Sequence, residues 1–187
     1  MSYFPIFYSL DNKRVLLVGA GKISSEKLEK LLDFTKDITI IAPTFNEYIL
    51  EKNDEFHLNL IKKEYKEGDL KNFDIVIVSV DNLDLQREIY LECKKERILC
   101  NCVDLQDCCD FIFPSYIKEG DLTIAISTNG SSPAFAKRFK EYLEEIIPKD
   151  ITNFLKEMRT LRKTIPKGKS RMTLLDQKVK EYIKSWK

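Results

Sequence analysis

Long apolar runs are missing from this sequence, and its first residues show no targeting segment. No run approaches the roughly 20 apolar residues that a helix needs to cross a bilayer. The opening stretch MSYFPIFYSLDNKR lacks the basic start, the apolar core and the small residues that are typical of a secretion signal. We therefore expect a soluble globular protein that works in the cytoplasm.

Net charge is also missing, because 31 Lys and Arg face 30 Asp and Glu and leave a formal charge of +1. Such a balance produces no overall field that would collect nucleic acid or an anionic membrane. An anionic ligand must therefore be held by local groups, and we expect neither nucleic acid nor a membrane as a partner.

Cysteine is confined to one stretch. Five cysteines lie between residues 93 and 109, an odd and crowded set unlike a secreted disulfide framework, so reduced thiols are predicted. C-x-C followed by C-C offers four soft metal ligands, but the spacing differs from that of structural zinc sites. Alternate residues of a buried strand commonly pack as small hydrophobic groups. We therefore predict no metal at the four positions concerned: Cys100, Cys102, Cys108 and Cys109.

Strand-like and helix-like stretches alternate through residues 1–112. Runs rich in Val and Ile predict five strands, at residues 15–18, 38–42, 56–61, 75–80 and 98–102. Amphipathic stretches predict helices at 24–34 and 83–95. This alternation is typical of a Rossmann-like α/β fold, a parallel sheet with helices on both faces. The single histidine, His57, falls in a predicted edge strand and is interpreted as structural.

The pattern changes after Asp110, which predicts a further α+β segment at residues 113–148 and a helical part at 149–187. FIFPSYI and LTIAIST, joined by the polar turn KEGD, predict an antiparallel hairpin. Ser132 as the N-cap and Pro133 at the first helical position predict a helix that Pro148 ends. The charged remainder is predicted to be two helices separated by the loop KTIPKGKS.

The stretch VLLVGAGKIS carries a G-x-G turn between the first predicted strand and the first predicted helix. Gly19 and Gly21 would let the backbone approach a pyrophosphate at the helix start, and Ser24 would take the close-packing position. The acid that would hold the ribose is missing, since no carboxylate lies between Asp37 and Glu47. No arginine is placed there to select a 2′-phosphate, so the residues favour NAD over NADP. A turn that binds nothing remains an alternative.

The stretch NCVDLQDCCDFIFP, residues 101–114, begins at the carboxyl end of the last predicted strand, where open α/β sheets place their ligands. Asp104 could accept a proton there while a nearby nicotinamide accepts a hydride. The alternative is a solvated or capping loop aspartate, which position alone would favour.

Three stretches closely resemble the precorrin-2 dehydrogenase family, the N-terminal module of siroheme synthases. They are YFPIFYSLDNKRVLLVGAGKIS, NCVDLQDCCDFIFPSYIKEGDLTIAIST and NGSSPAFAKRFKEYLEEIIP, and together they cover about the first 150 residues. The resemblance implies oxidation of precorrin-2 to sirohydrochlorin with NAD as hydride acceptor and, in some members, insertion of ferrous iron. It also implies a homodimer formed through the segment 113–148, with the helical part 149–187 beside the active cleft.

Residue by residue, the resemblance assigns the cofactor turn, the adenosine-side loop and the essential aspartate: Gly19, Gly21, Lys22 and Ile23, then Pro43 and Thr44, then Asp104. The missing acid is no longer unexpected, because IAPT resembles the family's usual ending of the second strand. Cys102 stands where the family more often has Val, and Asn129 stands where it more often has Gly. Neither departure removes a charge, so both concern only details of the pocket.

A polycarboxylate substrate should meet cations and helix-start amides. The candidates are grouped around NGSSP: Thr128, Asn129, Ser132, Lys137 and Arg138. Lys137 and Arg138 are equally well explained as solvated helix positions. The basic stretch KEMRTLRKTIPKGKSR could close over carboxylates, although a charged surface helix explains it equally.

Two other functions remain open from the residues. A lone glycine turn also occurs in nucleotide-sensing regulatory modules that catalyse nothing. A chelatase or tetrapyrrole carrier with a vestigial nucleotide pocket is the third possibility, and the intact Gly19 and Gly21 argue against it.

Overall fold

The structure is a computed structural model that describes residues 3–186. The chain divides into two compact units, Met1–Ile112 and Phe113–Lys187. Among the helices of the described part, none has the length and apolar character needed to cross a membrane.

The first unit is built on five parallel strands in the order β3-β2-β1-β4-β5. The strands are β1 (Val15–Val18), β2 (Ile38–Ala42), β3 (Asn59–Lys62), β4 (Ile75–Val78) and β5 (Leu99–Cys102). Three helices connect them: α1 (Lys22–Leu32), α2 (Glu47–Phe56) and α3 (Leu83–Glu96). The order and the parallel pairing make this unit Rossmann-like, as the sequence predicted.

Apolar strands explain why the sheet forms where it does. Every residue of β1, β2 and β4 is buried, as expected for a parallel sheet covered on both faces. Leu16 and Val18 of β1 pack in one cluster with Ile89 and Cys93 of α3. α1 packs against β1 and buries Leu28, so the successive side chains of β1 find apolar partners on opposite faces.

The third strand was predicted too early, and one helix was not predicted. Residues 56–61 were assigned to a strand, whereas α2 continues to Phe56 and β3 begins only at Asn59. Asn46 caps α2 by accepting a hydrogen bond from the Ile49 amide at 3.0 Å. His57 is therefore not in an edge strand but is the exposed C-cap of α2, with a left-handed φ of 55°.

The second unit begins with the predicted hairpin. β6 (Ser115–Glu119) and β7 (Leu122–Ile126) pair antiparallel, and Glu119 lies opposite Leu122 across a two-residue turn. Ser132 caps α4 (Pro133–Ile146) by accepting a hydrogen bond from the Phe135 amide at 3.2 Å, which confirms the predicted cap. The helices α5 (Ile151–Thr164) and α6 (Lys169–Lys184) follow.

A small apolar core holds the hairpin and the last helices together. Ile117 of β6 and Ile151 of α5 are buried in it. Phe154 of α5 stacks on Tyr182 of α6 with ring centroids 3.8 Å apart, and Trp186 meets Tyr182 edge-on. Burial and a hydrogen bond donated to Asp150 raise the pKa of Tyr182 to about 12, so the phenol remains a donor at neutral pH.

The cysteines pack as the sequence predicted. All five are free and buried, and four of them belong to the cluster between the sheet and α3: Cys93, Cys100, Cys102 and Cys108. The Sγ atoms of Cys100 and Cys102 are 3.9 Å apart, and this contact together with burial raises the pKa of the Cys100 thiol. Within residues 3–186 no group of three His, Cys, Asp or Glu side chains is arranged to hold a metal ion.

Truncating a leucine of the central strand should destabilise the first unit much more than truncating an exposed one. Leu16 is fully buried in β1, and Leu16→Ala is expected to lower the free energy of unfolding by about 2–5 kcal/mol because it leaves a cavity. Leu50 of α2 is 47% exposed, and Leu50→Ala should stay within about 0.5 kcal/mol of wild type. Urea denaturation of both variants measures the difference, and equal losses would contradict this account of the core.

Candidate active site

The carboxyl edge of the sheet contains a point where the order of connection reverses. From β1 the chain moves outward to β2 and β3, and it then returns to β4 on the other side of β1. Open α/β sheets bind ligands in the crevice at such a point. The loops after β1, β4 and β5 all leave the sheet at this edge.

Gly19 is required by the geometry of the first loop. Its φ is +107°, and a Cβ atom placed there would lie 2.5 Å from the carbonyl oxygen of Ser79 in the loop after β4. The Gly19 amide donates to the carbonyl of Ile41 in β2 at 2.9 Å. Only glycine combines this φ with so close an approach of two backbones.

Ser24, at the third position of the glycine motif, joins α1 to the loop after β4. The residue is fully buried, and its Oγ lies 2.6 Å from the Oγ of Ser79. Ser79 Oγ also lies 3.3 Å from the carbonyl oxygen of Val18, to which it donates. The serine therefore packs closely, as a small residue must here, and adds a hydrogen bond that a third glycine could not make.

The start of α1 is open to an anion. Gly21 is its N-cap, no side chain caps the helix, and the first turn contains no acidic residue. A Cβ atom at Gly21 would meet no atom of residues 3–186 within 4 Å. The backbone amides at the positive end of the helix are therefore accessible, and Lys22, the first residue of the helix, adds an ammonium group beside them. Both features suit a phosphate group.

An open cleft of about 540 Å³ extends from this helix start toward α2. Its lining is Gly21, Lys22, Ser25, Glu26, Glu29, Asn46 and Tyr48. Asn46 donates to Ser25 Oγ at 2.8 Å and so fixes the start of α2 against α1. Burial raises the pKa of Tyr48, which keeps its phenol neutral and able to donate. Ile23 is 42% exposed beside this cleft, in the first turn of α1.

Sequence reasoning missed the contribution of α2 to this cleft. Pro43 and Thr44 were predicted for the adenosine side, and the structure places both, exposed, directly after β2. Asn46 and Tyr48 were not predicted. The signal for Asn46 was its residue type, which is favoured at an N-cap, but it was overlooked because the helix after it was not predicted.

Asp104 lies exposed in the turn after β5 and is held by a buried glutamine. Gln86, in the first turn of α3, donates from Nε2 to Asp104 Oδ2 at 2.9 Å and to the carbonyl oxygen of Val80 at 2.7 Å. Asp104 does not cap the short 3₁₀ helix Gln106–Cys108, whose N-cap is Leu105 with no side-chain hydrogen bond. The capping alternative is therefore wrong, and Gln86 was not predicted.

The five candidate substrate residues all belong to the second unit, whereas the cofactor residues and Asp104 belong to the first. Thr128 Oγ1 accepts a hydrogen bond from the Ser132 amide at 3.1 Å. Ser132 Oγ accepts the capping hydrogen bond from the Phe135 amide. Asn129 has a left-handed φ of 49°. Lys137 and Arg138 lie exposed on α4, and Arg138 forms an ion pair with Glu141 at 2.7 Å.

Comparison with protein families gives two matches along the chain. The model described as putative NAD(P)-binding matches residues 6–115, which include the glycine turn and Asp104. The model described as the central part of a sirohaem biosynthesis protein matches residues 119–146, which include β7 and α4.

Individual proteins are also similar to this chain. A siroheme synthase of Pseudoalteromonas translucida (strain TAC 125) is 39% identical over 81% of this chain and 32% of its own length. Siroheme synthase 2 of Pectobacterium atrosepticum is 35% identical over 81% of this chain and 33% of its own length. The chain thus spans about a third of these curated relatives. A solved structure described as SirC, precorrin-2 dehydrogenase, has a TM-score of 0.79 and 28% identity, covering 94% of this chain and 88% of its own.

The two motif glycines should respond differently to the same substitution. Gly19→Ala is expected to destabilise the first unit by about 1–3 kcal/mol, because its Cβ would collide with Ser79 at a positive φ. Gly21→Ala should cost no more than about 1 kcal/mol, the difference between these residues at an N-cap, yet lower NAD affinity at least about tenfold by blocking the approach of the pyrophosphate. Thermal unfolding and calorimetric titration with NAD measure these effects. Unchanged affinity in Gly21→Ala would exclude this helix start as the binding site.

Proposed function

The chain belongs to the putative NAD(P)-binding family, and from that membership we propose that it oxidises precorrin-2 to sirohydrochlorin with NAD as the hydride acceptor. The observation that carries this proposal is a carboxylate, Asp104, held by a hydrogen bond at the same sheet edge as the glycine turn. The resemblance to the siroheme-synthase module is confirmed by the family and relative matches.

The glycine turn fits a dinucleotide by its own geometry. Gly21 leaves open space where any other residue would place a Cβ atom, and the first turn of α1 offers amides with no competing carboxylate. We assign Gly19, Gly21, Lys22 and Ile23 to the pyrophosphate side, and Pro43 and Thr44 to the adenosine side. When bound, NAD supplies the acceptor for the hydride.

Asp104 takes the role of the base. Removing a hydride from a reduced tetrapyrrole leaves a proton to be lost, so the balanced reaction yields sirohydrochlorin, NADH and one proton. Gln86 occupies Oδ2 of Asp104, and Oδ1 receives no hydrogen bond from any residue in the described chain. We assign the proton to this carboxylate, which is exposed and so can reach a bound substrate.

We assign the substrate carboxylates to the start of α4. Thr128, Asn129 and Ser132 form the turn before this helix, and its amides give a positive end. Lys137 and Arg138 add two cations on its surface.

The free, buried cysteines suit a reducing compartment, and we place the reaction in the cytoplasm.

Ferrous iron is the proposed substrate of a second step at the same place. Insertion of the metal into sirohydrochlorin releases two pyrrole protons, and we assign Asp104 to accept them one at a time and to pass each to the solvent to which it is exposed. The iron is cargo of this step and needs no resident metal site.

Replacing Asp104 should abolish turnover while leaving the cofactor bound. Asp104→Ala is expected to lower kcat about 10²- to 10⁴-fold, the usual effect of removing a general base, with no loss of NAD affinity because the glycine turn is intact. Anaerobic assay with enzymatically generated precorrin-2 and NAD, following NADH and sirohydrochlorin, measures the first step. Ferrous iron is then added to follow siroheme.

Asp107→Ala is the matched control, since Asp107 is exposed and, among residues 3–186, forms its ion pair with Arg87. A wild-type protein that binds NAD but oxidises nothing would make the nucleotide-sensing module the better account. Oxidation without any siroheme would remove iron insertion alone.

A homodimer through the segment 113–148 is the remaining proposal. α4 exposes an apolar stripe at helical spacing, composed of Phe135, Phe139, Tyr142 and Ile146. The rings of Phe135 and Phe139 stack at 5.6 Å, and those of Phe139 and Tyr142 at 6.3 Å. A continuous exposed aromatic face of this kind marks an interaction surface, and we assign it to a second copy of the chain.

A charge in the middle of this stripe should dissociate the dimer. Phe139→Lys is expected to give a monomer, because a lysine would be buried without a partner in the interface. Met172→Lys on α6, where the side chain is 70% exposed, is the control and should leave the mass unchanged. Analytical ultracentrifugation decides, and a monomeric wild type would overturn the proposal.

A further inference from the structure

Gln86 of α3 has a fully buried side chain that reaches two loops at the carboxyl edge of the sheet. Its Nε2 donates to the carbonyl of Val80 after β4 and to the carboxylate of Asp104 after β5. Its backbone amide donates to the backbone carbonyl oxygen of Asn82, the N-cap of α3. One residue therefore ties together three segments that the sheet brings to the same edge.

Both N–H groups of the Gln86 side chain are used, which fixes the orientation of the amide. Since one hydrogen is directed to the Val80 carbonyl, the other is the group that Asp104 meets. An N–H donor bonds a carboxyl oxygen as an acceptor. The contact therefore occupies Oδ2 of Asp104 and leaves Oδ1 as the oxygen that can accept a proton.

The other end of the amide has no structural use. Gln86 Oε1 is buried and finds no hydrogen-bond partner in the described part of the chain. An unpaired buried carbonyl destabilises a fold, and an apolar residue of the same length would fill the site without this cost. What such a residue could not provide are the two donors, one to the Val80 carbonyl and one to Asp104.

We propose that Gln86 is a positioning residue that holds Asp104 in one orientation and leaves Oδ1 of its carboxylate to accept the proton of the substrate. This inference rests on the proposed function. Asp104 is exposed in a turn, and among residues 3–186 the bond from Gln86 is the one hydrogen bond that its side chain receives. Without this bond the carboxylate would be free to rotate out of line with the substrate.

The test is Gln86→Met, which keeps an unbranched side chain of similar length and removes the donor. It should lower kcat for precorrin-2 oxidation about 10- to 100-fold, as expected for a misoriented catalytic group, with the KM values and the NAD affinity little changed. Gln177→Met is the matched control, because Gln177 is an exposed helical glutamine bonded to Glu181. It should keep wild-type kcat.

A double variant separates positioning from a structural role. If Gln86 acts through Asp104, Gln86→Met should cause no further loss of the residual rate in an Asp104→Ala background. Full kcat in Gln86→Met, or losses that multiply in the double variant, would overturn the inference. A wild-type protein that does not oxidise precorrin-2 would instead overturn the proposed function.

A second measurement applies if Gln86→Met fails to fold. In the ¹⁵N-labelled full chain, the side-chain amide resonances of Gln86 should shift in the Asp104→Asn variant. They should keep their positions in the control variant Asp107→Asn. Identical Gln86 resonances in wild type and Asp104→Asn would show that the contact is not made and would also overturn the inference.

Discussion

The close approach of two backbones between β1 and β4 is the constraint on which the site depends. At Gly19 the loop after β1 passes so near the carbonyl of Ser79 that no side chain fits between them. This contact and the pair of hydroxyls from Ser24 and Ser79 fix the start of α1 against the neighbouring loop. That loop continues to Val80, whose carbonyl orients Gln86, and Gln86 in turn holds Asp104. The start of α1 and the carboxylate are thus two ends of one connected set of contacts.

The bounds of strands buried on both faces, such as β1 and β2, could be predicted from the sequence, and those of the half-exposed edge strand β3 could not. β1 and β2 have the bounds that their apolar runs indicate, because nothing but burial decides them. β3 is half exposed, and its sequence does not separate it from the end of α2. Phe56 was predicted to be the first residue of a strand. It is instead the last residue of α2, the helix that Asn46 caps.

The same distinction holds for the site. Gly19 and Asp104 could be proposed as site residues because their positions follow from the ends of strands. Ser79 and Gln86 could not, because their roles arise only when the sheet places β4 between β1 and β5. The Asp104 contact in particular joins residues 18 positions apart on different elements. A pattern read along the chain contains no sign of it.

The burial of the five cysteines makes their reactivity depend on the opening of the fold. Cys100 and Cys102 lie within β5, and Cys93 faces them from α3, all without measurable contact with solvent. A thiol in such a place reacts with an alkylating reagent only when the surrounding structure opens. The rate at which Cys100 and Cys102 are modified under native conditions is therefore a measure of how often β5, which precedes the turn with Asp104, separates from the sheet.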